Sequence, residues 1–248
     1  MTLSPSARTD RTFGYNSHMI GHYFRTGCLG LTVASCIIFS AAFANAAPCS
    51  FPDEPDVQVS VKRLDGRIVY NNAQTRESLR RMQRQSGRAT AFGAAWTPVG
   101  LTLTELRYRV KLKVEALPIS NIAYCARVTA VNAELGYDDL KVYIARKFRP
   151  GTCAYDSINQ HELTHVAVFR DTLDRFYPRL QHRLQRAAQS LDPIRSSSVD
   201  SAAEYLRQRL SAAVQPLFLE MNRDLDHANA RLDTPERYAR EQALCPDW

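Results

Sequence analysis

The sequence predicts an α+β fold in which an antiparallel sheet precedes two long helices. Three observations carry this expectation. Leu106, Tyr108, Val110, Leu112 and Val114 alternate with Arg107, Arg109, Lys111, Lys113 and Glu115, the period-two pattern of a strand with one buried face. Ile158, His165, Val166, Phe169, Leu173 and Phe176 fall on one side of a helix. Leu206, Leu210, Val214, Leu217, Met221 and Leu225 do the same further on, along a helix expected from about Asp200 to Arg231.

The chain of 248 residues suits one domain or at most two small ones. Its first 46 residues differ from the rest. Arg8, Arg11 and Arg25 are basic, no charge occurs from Thr26 to Pro52, and an apolar run from Leu29 to Phe43 ends in Ala44-Asn45-Ala46. A basic start, an apolar core and an A-x-A site form a secretory signal, expected to be cleaved after Ala46. The apolar run is short for a spanning helix. The expected organisation is therefore a signal peptide over 1–46 and a single domain over 47–248, periplasmic or secreted.

Export removes Cys28 and Cys36 and leaves Cys49, Cys125, Cys153 and Cys245, an even number suited to disulfides in an oxidising compartment. The expected pairing is Cys125–Cys153 with Cys49–Cys245. Net charge falls from +7 to +5, because three basic residues and one acid leave with the signal. A mildly basic exported protein is expected to make weak contact with anionic envelope surfaces. Compartment and the lack of a binding motif argue against nucleic acid.

Within 47–248 the elements follow in order. Gln58 to Lys62 and Arg67 to Tyr70 flank Asp65-Gly66, a hairpin signal. Thr75 opens a short helix with Glu77 in its first turn, and Gly87 closes it. After the alternating strand, Ile122 to Leu135 reads as a second strand. Gly136 and the aspartates after it read as a turn, and Leu140 to Lys147 as a third strand. A helix is expected from Ala154 to Phe176, stopped or kinked by Pro178, with more helix from Leu180 to Gln189.

That helix carries His161-Glu162-Leu163-Thr164-His165, an H-E-x-x-H sequence. Residues four apart share a helix face, so both imidazoles reach one zinc ion. Glu162 lies beside them, placed to take a proton from an activated water. Only His182 and His227 are further histidines of the mature chain, so half of its histidines lie in this motif.

A catalytic zinc needs a third protein ligand and an open position. Asp171 sits where metzincins place theirs, but Val168 stands where those proteins need a turning Gly. A ligand beyond Pro178, as in gluzincins, is the more natural source. Glu204, Asp224, His227 and Asp233 are the candidates, and the sequence leaves the choice open. Tyr155 and Tyr238 are candidate donors to a developing oxyanion. By position, Leu140 to Lys147 is the strand that a peptide would join along the cleft.

The chain resembles a bacterial family of predicted secreted zinc-dependent proteases. The resemblance runs from Val69-Tyr70 through Thr75 to Leu79, the Thr97 region, the strand pair holding Cys125, and the motif helix. It implies a zincin-like fold, zinc on His161 and His165, and Glu162 as catalytic base. The family tends to end in Tyr-Asp-x-x-Thr-x-His-Gly. Here Leu232-Asp233-Thr234-Pro235-Glu236-Arg237-Tyr238 keeps the Asp and lacks the His and Gly. The expected function is an exported zinc metallopeptidase acting on peptide or protein. The alternatives are a zinc amidase acting on cell wall and an inactive binding or assembly module on the same scaffold.

Overall fold

The computed structural model describes residues 49–53, 56–86, 97–246 and 248, with the backbone of one short strand at 13–15. The expected signal and Gly87 otherwise lie outside the described residues. The strands are β1 (Phe13–Tyr15), β2 (Gln58–Asn71), β3 (Gly100–Ser120), β4 (Ala123–Ile144) and β5 (Ile194–Ser196). The helices are α1 (Arg76–Gln85), α2 (Cys153–Gln189), α3 (Val199–Leu232) and α4 (Pro235–Ala243). The class is α+β, as expected, but the sheet is mixed rather than antiparallel.

The strands lie in the order β1-β3-β4-β2, with β5 against the start of β4. β2 runs parallel to β4, and β3 pairs antiparallel with β4 along almost its whole length. The parallel pair corrects the hairpin expected at Asp65-Gly66. β2 is one strand of 14 residues, and Gly66, at φ 74°, lies inside it. Likewise Gly136 begins no turn. Its φ of 138° sits inside a single strand of 22 residues. There the register against β3 shifts between Thr104 and Leu106, so the two aspartates form a bulge rather than a reversal. A Cβ at Gly136 would fall 1.9 Å from the carbonyl oxygen of Leu64, so this crossing of β2 and β4 requires glycine.

These continuous strands also correct the expected cleft strand. Leu140 to Tyr143 pairs on both sides, with β2 and with β3, and is interior to the sheet. Among the described residues β2 forms one edge of the sheet, and β3 is open on the other side before Tyr108 and after Val110, where β1 does not pair.

The alternation read in β3 holds. Val110, Leu112 and Val114 are buried against the helices, while Lys111 and Lys113 are exposed. α2 and α3 cover this face. Val166, Phe169, Leu173, Phe176, Leu180 and Leu184 from α2 meet Leu206, Leu210, Val214, Leu217 and Met221 from α3. Each such side chain contributes about 1.5–3 kcal/mol when fully buried.

α2 runs unbroken through Pro178, where a stop or kink was expected. Thr152 caps it by accepting from the Tyr155 amide at 3.3 Å. A second apolar cluster of Leu79, Leu101, Ile144, Phe148, Ala154 and Ile158 packs its first turns. The motif turn therefore sits between two hydrophobic clusters on one buried stripe.

Two disulfides close the chain, Cys49–Cys125 and Cys153–Cys245. This corrects the expected pairing. Cys49 meets the start of β4, and Cys153, at the first turn of α2, meets the segment after α4. No described helix is long and apolar enough to cross a membrane.

Candidate metal centre

His161 and His165 lie one helical turn apart on the buried stripe of α2, 4% and 7% exposed. Their Nε2 atoms converge to 3.1 Å. Asp233, the residue that ends α3, closes the triangle. Its Oδ1 lies 3.3 Å from His161 Nε2 and 3.1 Å from His165 Nε2. Of the five third-ligand candidates, only Asp233 is brought to the histidines. Asp171 and His227 are exposed. Glu204 pairs with Arg207, and Asp224 lies 3.6 Å from Arg175.

The three donor atoms fit a tetrahedral ion. Bonds of about 2.0–2.1 Å to zinc put ligand atoms about 3.3 Å apart, and the observed separations are 3.1, 3.1 and 3.3 Å. Beside them lies a small cavity of about 30 Å³, whose walls include Gly100, His161, Glu162, Tyr238 and Glu241. That space accommodates roughly one or two waters beside His161 and Glu162.

The far nitrogen of each ring is also held. His165 Nδ1 lies 2.8 Å from Asn229 Oδ1, and His161 Nδ1 lies 3.0 Å from Glu241 Oε2. An amide oxygen and a carboxylate both accept, so each Nδ1 carries a proton, and in the neutral ring each Nε2 presents its lone pair inward. Arg237 donates to Glu241 Oε1 at 2.8 Å, and Tyr238 donates its hydroxyl to Asp233 Oδ1 at 2.6 Å. The Tyr238 ring lies against His161, centroids 4.9 Å apart. Tyr155, the other candidate donor, packs against the Leu79 cluster instead.

Glu162 is 4% exposed. Thr102 on β3 donates its hydroxyl to Oε2 at 2.7 Å. Gly100 approaches from the same strand, and a Cβ there would fall 2.4 Å from Glu162 Oε1. The open edge of β3 thus begins against the motif carboxylate.

Charge in the cluster is unbalanced. Glu162, Asp233 and Glu241 surround two imidazoles, a field that favours a cation. Burial pushes the Glu162 carboxyl up, against the pull of the His165 and His161 charges. Burial alone would lower His161, but the bond to Asp233, the Glu162 charge and the bond to Glu241 together outweigh it and the ring is raised. His165, opposed by burial and favoured by Asp233 and Glu162, is pushed up to about 9. Asp233 is held well below the usual carboxylate range: burial opposes this, and the bonds from both histidines prevail. Burial raises the Tyr238 phenol, and the Asp233 charge raises it further, so it remains a proton donor. Without metal the cluster therefore holds a proton where a cation fits.

Four contributors were not singled out in the sequence: Gly100, Thr102, Asn229 and Glu241. Asn229 carried a readable signal, since it extends the stripe of Met221 and Leu225 by one more turn, and a polar residue there needs a partner. The other three are joined to the motif only by the fold. Compared with known proteins, the chain matches no family model, no curated protein and no solved structure.

Proposed function

We propose that the protein is a zinc metallopeptidase, with His161, His165 and Asp233 as the metal ligands and Glu162 as general base. The observation that carries this reading is the convergence of two imidazole Nε2 atoms and one carboxylate oxygen at 3.1–3.3 Å, with Glu162 beside them. Bound zinc would supply Lewis acidity, polarising a carbonyl and making water a better acid.

The chain's own residues supply the rest. Glu162 takes the proton of the attacking water and passes it to the departing amine. Thr102 fixes one oxygen of Glu162 and leaves the other for this exchange. Burial raises the affinity of Glu162 for that proton. Tyr238 orients Asp233 through its hydroxyl, a positioning role.

A peptide substrate would pair with the open edge of β3 near Gly100, since an extended chain adds to a free strand edge. The zincin-like architecture and the periplasmic or secreted location belong to the same reading. The two disulfides suit an oxidising compartment.

The test is zinc-loaded protein of residues 47–248 on a broad peptide library, wild type against Glu162→Gln. The expected result is cleavage by wild type, lowered by about 10²–10⁴ in the variant, with zinc content unchanged. Zinc binding without Glu162-dependent cleavage would remove the peptidase claim and leave a binding module. Turnover of peptidoglycan fragments alone would select the amidase.

A further inference from the structure

We infer that the Cys153–Cys245 disulfide completes the metal centre. Closed, it holds α4 where Tyr238 and Glu241 set Asp233 and His161; open, it releases them and weakens zinc binding. The inference rests on the zinc reading of the His161–His165–Asp233 cluster.

The segment after α3 supplies three of the groups around the site. Asp233 is a ligand, Tyr238 holds that ligand, and Glu241 holds the Nδ1 of His161. α4 carries the last two back along the first turns of α2. The lengths agree: eight residues of α2 separate Cys153 from His161 and nine make up α4, spans of about 12 and 13 Å. The disulfide therefore pins the far end of a strap whose near end is the metal ligand.

Little else pins it. None of the nine residues of α4 is buried, and Leu244 beside Cys245 is 72% exposed. A helix this short is marginal without outside support. Its other anchors are the Thr234 cap, the Tyr238 ring and the Glu241 carboxylate on His161, and Trp248 against Phe148 with centroids 5.7 Å apart. Three of these are at the site or near Asp233, so beyond Glu241 the remote end is held by the disulfide and by Trp248.

The other disulfide has no such connection. Cys125 lies at the start of β4, whereas Gly100, which abuts Glu162, pairs with Ile144 at its end. Cys49–Cys125 is thus an internal control.

Closing Cys153–Cys245 removes two electrons and two protons from the thiols. They pass to a disulfide-bearing oxidant, which leaves as a dithiol, and a dithiol reductant reverses the exchange. The consequence is a site that matures in an oxidising compartment and holds zinc weakly before then. No latency segment is needed for such control.

The experiment measures zinc affinity by chelator competition on the oxidised full chain, on Cys153→Ser/Cys245→Ser, and on Cys49→Ser/Cys125→Ser. The expected result is a loss of about 10–100-fold in the first variant, the range for loss of groups that orient metal ligands. The second variant should bind as wild type does. Equal affinity in wild type and Cys153→Ser/Cys245→Ser overturns the inference alone. Absence of tight zinc binding by oxidised wild type overturns the zinc reading and the inference with it.

If the first variant does not unfold cooperatively, zinc-loaded Cys49→Ser/Cys125→Ser protein is treated with a phosphine reductant, which lacks zinc-binding thiols, while zinc release and helical circular dichroism are followed. Release ahead of helix loss supports the coupling. Zinc retained after both thiols are alkylated contradicts it.

Discussion

Glu162 is confined by two residues that are far from it in sequence. Thr102 donates to one carboxylate oxygen, and Gly100 leaves space for the other. A Gly100→Ala Cβ would fall 2.4 Å from that oxygen and 2.7 Å from Ile158 Cγ2. Neither contact is tolerable, so the carboxylate or the strand must move. The expected result is a stable but displaced site. Zinc affinity should change little, because Gly100 touches no ligand, while cleavage falls at least tenfold through misplacement of the base. Parallel losses in zinc affinity and cleavage would instead place the damage in the ligand cluster. The motif itself was legible because all its parts lie within one helical turn. Asp233 remained one of five candidates because its distance of 68 residues from His165 is closed only by α3 folding back.

Elements were readable where periodicity was long and misread where glycine was taken for punctuation. The stripes of α2 and α3 and the alternation of β3 define their burial directly. Asp65-Gly66 and Gly136 resemble turn signals, yet each glycine lies inside a strand at positive φ. Nothing local distinguishes a glycine that reverses the chain from one that lets two strands pass closely. Pro178 is the corresponding case in a helix: α2 continues through it because Phe176, Leu180 and Leu184 on either side are all buried. Gly136→Ala tests the strand reading. Its Cβ would meet the Leu64 carbonyl at 1.9 Å and its φ is 138°, so a cost on the order of 3 kcal/mol or more is expected in denaturant unfolding. A loss below about 1 kcal/mol would fit a turn at this position instead.

Across the molecule, the centre links the start of β3, the first third of α2 and the junction of α3 with α4. Folding must complete before His161, His165 and Asp233 meet, so a metal held by them would be coupled to stability. The direction with pH follows from the shifted groups. His165, raised to about 9, contributes stability that is fully present below its unfolded value near 6.5 and lost as pH rises through about 9. Asp233, depressed, contributes stability that is present above its unfolded value near 3.8 and lost at lower pH. Metal-free protein should therefore show a falling unfolding midpoint between pH 6.5 and about 9.5. Zinc, which replaces the shared proton, should abolish that fall, and Asp233→Asn should flatten it without metal. A midpoint that rises over this interval in the metal-free wild type would contradict the charge arrangement.

The whole account depends on which atoms surround the ion. Zinc-edge X-ray absorption on the oxidised, zinc-loaded protein reads this directly. The predicted shell is two imidazole nitrogens and one carboxylate oxygen at about 2.0–2.2 Å, with one further oxygen, and Asp233→Ala should remove the carboxylate oxygen from it. A shell containing sulfur, a shell of oxygens alone, or a spectrum unchanged in Asp233→Ala would contradict the centre formed by His161, His165 and Asp233.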